Sequence, residues 1–284
     1  MRHSEGTFLD SRGTKLYYQA WHPGNQLRAV IVGIHGHGDH SGGLGNMIQY
    51  FVPQGYAWYG LDLRGHGRSS GLRGHVQSWA DFRDDLGAFI SLVRDHEGEV
   101  PIFLLGHSLG GLISLEYSMR YPEDLSGIIA ICPPLSYIRY SPIMAKALKV
   151  LSLINPDFST EQEPDYTKLT RDAEVAESLA EDPLRHDLMT AGLWREILKA
   201  QNWVKKHPYE FHIPLLMLQG LDDKITPAEG TRRFFYSLSL ANKEYQEYEQ
   251  TNHRPFDDVN RAEVLGHLLT WLDEQTEERK VQSI

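Results

Sequence analysis

Short apolar runs bounded by Gly, Pro and Asp alternate along the chain with longer stretches in which apolar residues recur at helical spacing. Thr7–Leu9 and Lys15–Trp21 read as two strands joined by a turn at Asp10–Gly13, a hairpin signal. The continuous apolar run Arg28–Ile34 predicts a strand buried on both faces. Met47, Ile48, Phe51 and Val52 form a helical stripe, and Ala57–Leu61 is the next strand. Phe82, Leu86, Phe89, Ile90 and Val93 lie on one helical face. A strand at Ile102–Leu105, a helix at Leu109–Arg120 and a strand at Gly127–Ile131 follow. Buried strands alternating with helices predict an α/β fold: a mostly parallel sheet covered by helices on both faces.

The alternation breaks between Pro133 and Pro208, a stretch rich in helix formers with no strand run, holding the very apolar segment Ile143–Ile154. It resumes with Pro214–Gln219, Tyr245–Tyr248 and a final helix over Val259–Leu272. An insertion of about 75 residues is too long for a plain loop. It predicts a helical cap inserted between two sheet strands, over the C-terminal edge where open α/β sheets place their sites. The expected organisation is a core of residues 1–132 and 210–284, with the cap at 133–209.

Composition narrows the function. Of 284 residues, 41% are hydrophobic and 23% charged, the balance of a folded soluble protein. The formal charge of −10 argues against nucleic-acid binding and against electrostatic attachment to anionic lipid. One cysteine, Cys132, excludes an internal disulfide framework and multi-thiolate metal sites. Met1–Asp10 lacks the apolar core of a secretory signal, and no run reaches the ~18 apolar residues of a spanning helix. A cytoplasmic protein is the expectation, with the apolar cap segment available for transient membrane contact. Its oligomeric state is open.

The strongest chemical signal is Gly106-His107-Ser108-Leu109-Gly110, set between an apolar strand and a helix. A strand-to-helix turn this sharp needs glycine where a Cβ would collide, and it holds Ser108 at its apex near a helix N-terminus. The alternative is a Gly-rich turn with a passenger serine. A serine nucleophile needs a base, and the base an orienting carboxylate, in the order Ser, acid, His for this architecture. Asp222 and Asp223 follow the strand Pro214–Gln219, and spacing does not choose between them. Of the two later histidines, His267 falls in the stripe of the last helix, whereas His253 lies in a polar loop after a strand. His253 is therefore the candidate general base.

Ile34 is followed by His35-Gly36-His37-Gly38-Asp39-His40. This H-x-H-x-D-H spacing also fits a zinc-dependent hydrolase, in which three imidazoles and a carboxylate hold two ions. The α/β setting favours the other reading, an H-G-x-G oxyanion turn after the third strand. The backbone N–H groups of His37 and Leu109 would then face the substrate oxygen, each donor worth ~2.7–4 kcal/mol by analogy with measured side-chain donors.

From roughly Thr7 to Glu274 the chain resembles the monoacylglycerol lipase and lysophospholipase group of the α/β-hydrolase superfamily. The resemblance rests on HGHGDHSG at 35–42, DLRGHGRSSG at 62–71, GHSLGG at 106–111, QGLDDKITP at 219–227, the pair Asn252-His253 and DPLRHD at 182–187. It implies a triad of Ser108, Asp223 and His253, with oxyanion donors at His37 and Leu109 and no cofactor or metal. Members more often carry Glu at the position of Asp39, and the resemblance implies a bracing contact from Asp39 to Arg64. Otherwise the loop RGHGRS reads as structural. The implied reaction is hydrolysis of a lipid ester with a single acyl chain, a monoacylglycerol or lysophospholipid, through an acyl-enzyme. A short-chain carboxylesterase is the alternative, a zinc hydrolase using residues 35–40 a more distant one, and a peptidase or C–C hydrolase fits the same fold.

Overall fold

The computed structural model describes residues 1–136, 149–161 and 165–282. Its core is one eight-stranded sheet built from β1 (Arg2–Leu9), β2 (Lys15–His22), β3 (Ala29–Ile34), β4 (Tyr56–Leu61), β5 (Ile102–His107), β6 (Gly127–Ile131), β9 (Leu215–Gly220) and β10 (Lys243–Tyr248). The order across the sheet is β1-β2-β4-β3-β5-β6-β9-β10. The hairpin β1–β2 and the β2–β4 pair are antiparallel, and every other pair is parallel.

β3, β4, β5, β6 and β9 are buried along their whole length, which is why they appear in the sequence as unbroken apolar runs rather than alternating ones. Helices α1 (Gly45–Phe51) and α6 (Arg261–Gln282) contribute to an apolar layer around Trp58, Phe103 and Trp271. Helices α2 (Trp79–Glu97), α3 (Leu109–Arg120) and α5 (Ala191–Lys206) contribute to the second layer. All five residues of the α2 stripe are buried, and Ser78 starts that helix with a capping box to Asp81. In the last helix the stripe begins later than the sequence suggests. Val259 precedes the helix and is exposed, Ala262 is exposed, and Val264 and Trp271 carry the packing instead.

The segment between β6 and β9 also departs from its expected pattern. Besides α4 (Ala173–Glu181) and α5 it contains two short strands, β7 (Ser159–Glu161) and β8 (Leu188–Thr190), paired antiparallel. Strands of three residues are too short to register as a periodic run, so the sequence conceals them. Of the apolar segment Ile143–Ile154, residues 143–148, Lys146 among them, lie outside the described residues; 149–154 are helical, with Val150, Leu153 and Ile154 exposed. Among the described residues no helix is long and apolar enough to cross a membrane.

Candidate active site

The turn between β5 and α3 places Ser108 in a backbone conformation that L-residues avoid, φ 52° and ψ −118°. Two glycines make so tight a turn sterically feasible. A Cβ on Gly106 would stand 2.2 Å from the Gly110 carbonyl oxygen, and one on Gly110 would stand 2.3 Å from that of Ile34. The Ser108 N–H is anchored on the Ile131 carbonyl at 2.9 Å. Its hydroxyl is half-buried at the N-terminus of α3, where the helix dipole favours negative charge.

His253 lies in the loop after β10. Its Nδ1–H donates to Asp223 Oδ2 at 2.7 Å. Asp222 is exposed at the turn surface, so of the two adjacent carboxylates only Asp223 reaches the imidazole. Asp223 is itself held on all sides. Oδ1 accepts the N–H groups of Ile225 and Thr226, while Oδ2 also accepts from Gln219 Nε2 at 3.1 Å and from Thr226 Oγ1 at 2.6 Å. Burial disfavours its charged form, but the adjacent imidazole and the Thr226 hydrogen bonds outweigh that and hold the carboxyl at about 2. His267 is elsewhere, bonded to Tyr248 and Glu244.

The loop carrying His253 is tied from two directions. His107, the residue before Ser108, donates from Nε2 to the His253 carbonyl at 2.9 Å, and the two rings lie 4.8 Å apart. From the insertion, the Leu169 carbonyl accepts the Arg254 N–H at 2.8 Å and the Thr167 carbonyl accepts Asn252 Nδ2 at 2.7 Å. Ser108 Oγ and His253 Nε2 make no hydrogen bond to each other in this structure. Such a bond is commonly long in an unliganded enzyme and tightens around substrate.

The turn after β3 lies against the serine: a Cβ on Gly36 would stand 3.2 Å from Ser108 Cβ. Among the described residues the His37 N–H has no backbone acceptor, and Leu109 opens α3, where the first N–H groups lack intrahelical partners. Two of the three histidine side chains of this stretch, His35 and His40, have other employment, whereas both ring nitrogens of His37 are buried without a hydrogen bond among the described residues. His35 donates from Nδ1 to Gly36 O and accepts the Leu63 N–H on Nε2. His40 accepts from Gly42 N–H on Nδ1 and pairs through Nε2 with Asp182. Both nitrogens of each ring are thus spent on protein partners. Among the described residues, the His, Cys, Asp and Glu side chains whose donor atoms converge are Cys132, Asp223 and His253, not the stretch at 35–40.

The contact from Asp39 to Arg64 is not formed. Arg64 instead binds Asp85 and Asp10, and Asp39 is gripped by two other guanidinium groups, Arg185 at 2.5 Å and Arg254. Burial works against the Asp39 charge, but these two arginines hold its carboxyl well below the usual carboxylate range. The physical reason is position: Asp39 faces the insertion, while Arg64 faces α2 and the β1–β2 turn. Asp62, in the same RGHGRS loop region, accepts the N–H groups of Ser41 and Arg68, a structural role.

The segment Asp182–His186 therefore sits directly on the turn at 37–40, through Asp182 to His40, Arg185 to Asp39 and the His186 N–H to the Gly38 carbonyl at 3.1 Å. His186 also donates to the Gly65 carbonyl, and its ring packs on His66 and His37. Burial lowers His37 to about 3 and His186 to about 4, so both rings are neutral at pH 7.

Several partners in this site carried no assigned role in the sequence. His107, Gln219 and Thr226 lie inside the motifs quoted above, so their signal was present but unread. Arg254 and Cys132 had none. Cys132 is buried at the end of β6 with φ 46°, and burial, with the nearby Asp223 carboxylate, pushes its thiol well above the usual range.

Comparison with known proteins identifies the family and several relatives. The family described as serine aminopeptidase, S33, matches residues 25–260. The chain is 28% identical over 271 residues to a monoacylglycerol lipase of Mycolicibacterium smegmatis, covering 95% of this chain and 96% of that protein. It is 30% identical to phospholipase YtpA of Bacillus subtilis, over 87% of this chain and 95% of that one. A crystal structure of a monoacylglycerol lipase from Paleococcus ferrophilus superposes with a TM-score of 0.83 at 31% identity, covering 92% of this chain and 99% of that one.

Proposed function

The chain belongs to the serine aminopeptidase, S33 family, and from its relatives named monoacylglycerol lipase and phospholipase we propose a carboxylic ester hydrolase acting on single-chain lipid esters through an acyl-enzyme on Ser108. The observation that carries this reading is the 2.7 Å hydrogen bond from His253 to the buried Asp223, on a loop bonded to the residue before Ser108. In the proposed cycle His253 Nε2 takes the hydroxyl proton as Ser108 Oγ attacks the ester carbonyl. The tetrahedral oxyanion is stabilised by the N–H groups of His37 and Leu109 and by the start of α3. His253 then returns the proton to the leaving alcohol, and afterwards activates water to release the fatty acid. Asp223 keeps Nδ1 protonated and stabilises the imidazolium that forms transiently.

Monoacylglycerol or lysophospholipid is the proposed substrate class, supported by relatives named monoacylglycerol lipase and phospholipase. We read residues 133–209 as a cap over the core formed by 1–132 and 210–284. Exposed Val150, Leu153, Ile154 and Phe158 give this cap an apolar face suited to transient contact with a lipid surface. The test is fluorophosphonate labelling with the modified residue mapped, beside turnover of monoacylglycerols, lysophospholipids and simple esters. Label on Ser108 with turnover of single-chain lipids supports the reading. Label elsewhere, or hydrolysis confined to short esters, overturns it.

A further inference from the structure

Cys132 Sγ, His253 Nδ1 and an Asp223 carboxylate oxygen lie within 4.8 Å of one another, and all three residues are buried. The three come from different parts of the chain: the end of β6, the turn after β9 and the loop after β10. We propose that these residues form an inhibitory site for a thiophilic divalent cation of the zinc–cadmium type, lodged behind the imidazole. A thiolate, an imidazole nitrogen and a carboxylate oxygen are the donor set such ions prefer. Donor atoms around one tetrahedral ion stand about 3.3–3.7 Å apart, so closing the present spread needs at most about 1.1–1.5 Å of movement. The Nδ1–Oδ2 pair opens from 2.7 Å to about 3.3 Å as the proton between them moves to Nε2. Thr226 Oγ1, 2.6 Å from Asp223 Oδ2 and 3.2 Å from His253 Nδ1, is placed to serve as a fourth, neutral oxygen donor.

The exchange balances without oxidation or reduction. The cation enters, the Cys132 thiol proton leaves to solvent, the His253 ring proton moves from Nδ1 to Nε2, and three metal–ligand bonds form. With the cation on Nδ1 the neutral imidazole carries its proton on Nε2, so that nitrogen has no lone pair left to accept the Ser108 proton. The imidazole then no longer serves as a base for Ser108. This consequence rests on the proposed role of His253, whereas binding of the ion does not.

The chain has a single cysteine, so any thiolate–metal signal reports this site alone. The experiment titrates the full chain with Cd²⁺, following cadmium–thiolate charge-transfer absorption and, in parallel, ester hydrolysis before and after a chelator. One equivalent of thiolate-bound cadmium, at least tenfold loss of activity and recovery on chelation are expected. Ser108→Ala should bind cadmium with the same stoichiometry. Cys132→Ser and Cys132→Ala should lose the absorption and become at least tenfold less sensitive, each measured against its own ion-free rate. Absence of the thiolate band in the unmodified chain overturns the site. So does undiminished inhibition of both cysteine variants. A full band with unchanged activity would leave the site standing and overturn His253 as the general base.

Discussion

His107 donates its Nε2 proton to the backbone carbonyl of His253 at 2.9 Å, joining two residues 146 positions apart. This one bond links the turn that raises Ser108 to the loop that carries the imidazole. Burial keeps the His107 ring well below its ordinary pKa, so it stays neutral and adds no charge beside His253. The alignment of serine and histidine therefore depends on packing across the sheet edge, not on either loop alone.

If Ser108 is the nucleophile, Ser108→Ala should reduce kcat by about 10⁶ while leaving the fold unchanged. Ester hydrolysis and the thermal unfolding midpoint, measured on the same preparation, check both halves. Turnover near the parent rate in a folded variant would remove Ser108 from the mechanism.

The neighbouring aspartates offer a matched pair. Asp223→Asn should lower kcat by about 10⁴, because an amide donating to Nδ1 favours the wrong tautomer of His253. Asp222→Asn, at an exposed position outside the hydrogen-bonded cluster, should change kcat less than severalfold. Equal losses in the two variants would contradict the assignment.

Asp39→Asn should destabilise the protein by about 3 kcal/mol, since it removes one carboxylate from both Arg185 and the buried Arg254, which keeps only Asp257 among the described carboxylates. Denaturant unfolding measures the loss. Arg64→Lys leaves this pair of contacts in place, so any loss it causes should add to that of Asp39→Asn in the double variant. Strong coupling between the two would restore the Asp39–Arg64 contact that the structure lacks.

Acid should weaken the protein through the histidines where the insertion meets the turn at 37–40. Burial depresses His37 to about 3 and His186 to about 4, below the ~6.5 of an exposed histidine, so the unfolded chain takes up protons more readily. Their contribution is complete above about pH 6.5 and is lost as pH falls toward 4 and 3. Asp39 acts in the same direction lower down: its stabilisation is present above about 3.9 and disappears as pH drops toward its depressed native value. His186→Gln should flatten the fall in unfolding free energy between pH 6.5 and 4. An unchanged slope would show that His186 is not buried in solution.

Acyl preference separates the two ester readings. With nitrophenyl esters, kcat/KM should persist or rise with chain length if the cap accommodates a single long chain. A sharp optimum at acetate or butyrate would identify a short-chain esterase instead.

The central strands were legible because each is buried on both faces and so appears as an unbroken apolar run; Gly127–Ile131 matches its strand end to end. The serine turn was legible for a local reason, since its geometry demands glycine at fixed offsets around Ser108. The three-residue strands Ser159–Glu161 and Leu188–Thr190 were not, because pairing them takes a partner 27 or more positions away and almost no periodicity.

By itself, then, the sequence determined the order of layers, the turn at Ser108 and the candidate residues near each strand end, because local sterics and hydrophobic period act over a few neighbouring positions. Tertiary structure alone decided that Asp39 turns to Arg185 and Arg254 and that Cys132 lies beside the imidazole, and it brings His253 to Asp223, the choice that spacing left open and the resemblance implied. Those choices depend on which side chains share a buried volume, and burial is where an unpaired charge or hydrogen-bonding group costs most. That selection operates between distant segments and leaves no periodic trace along the chain.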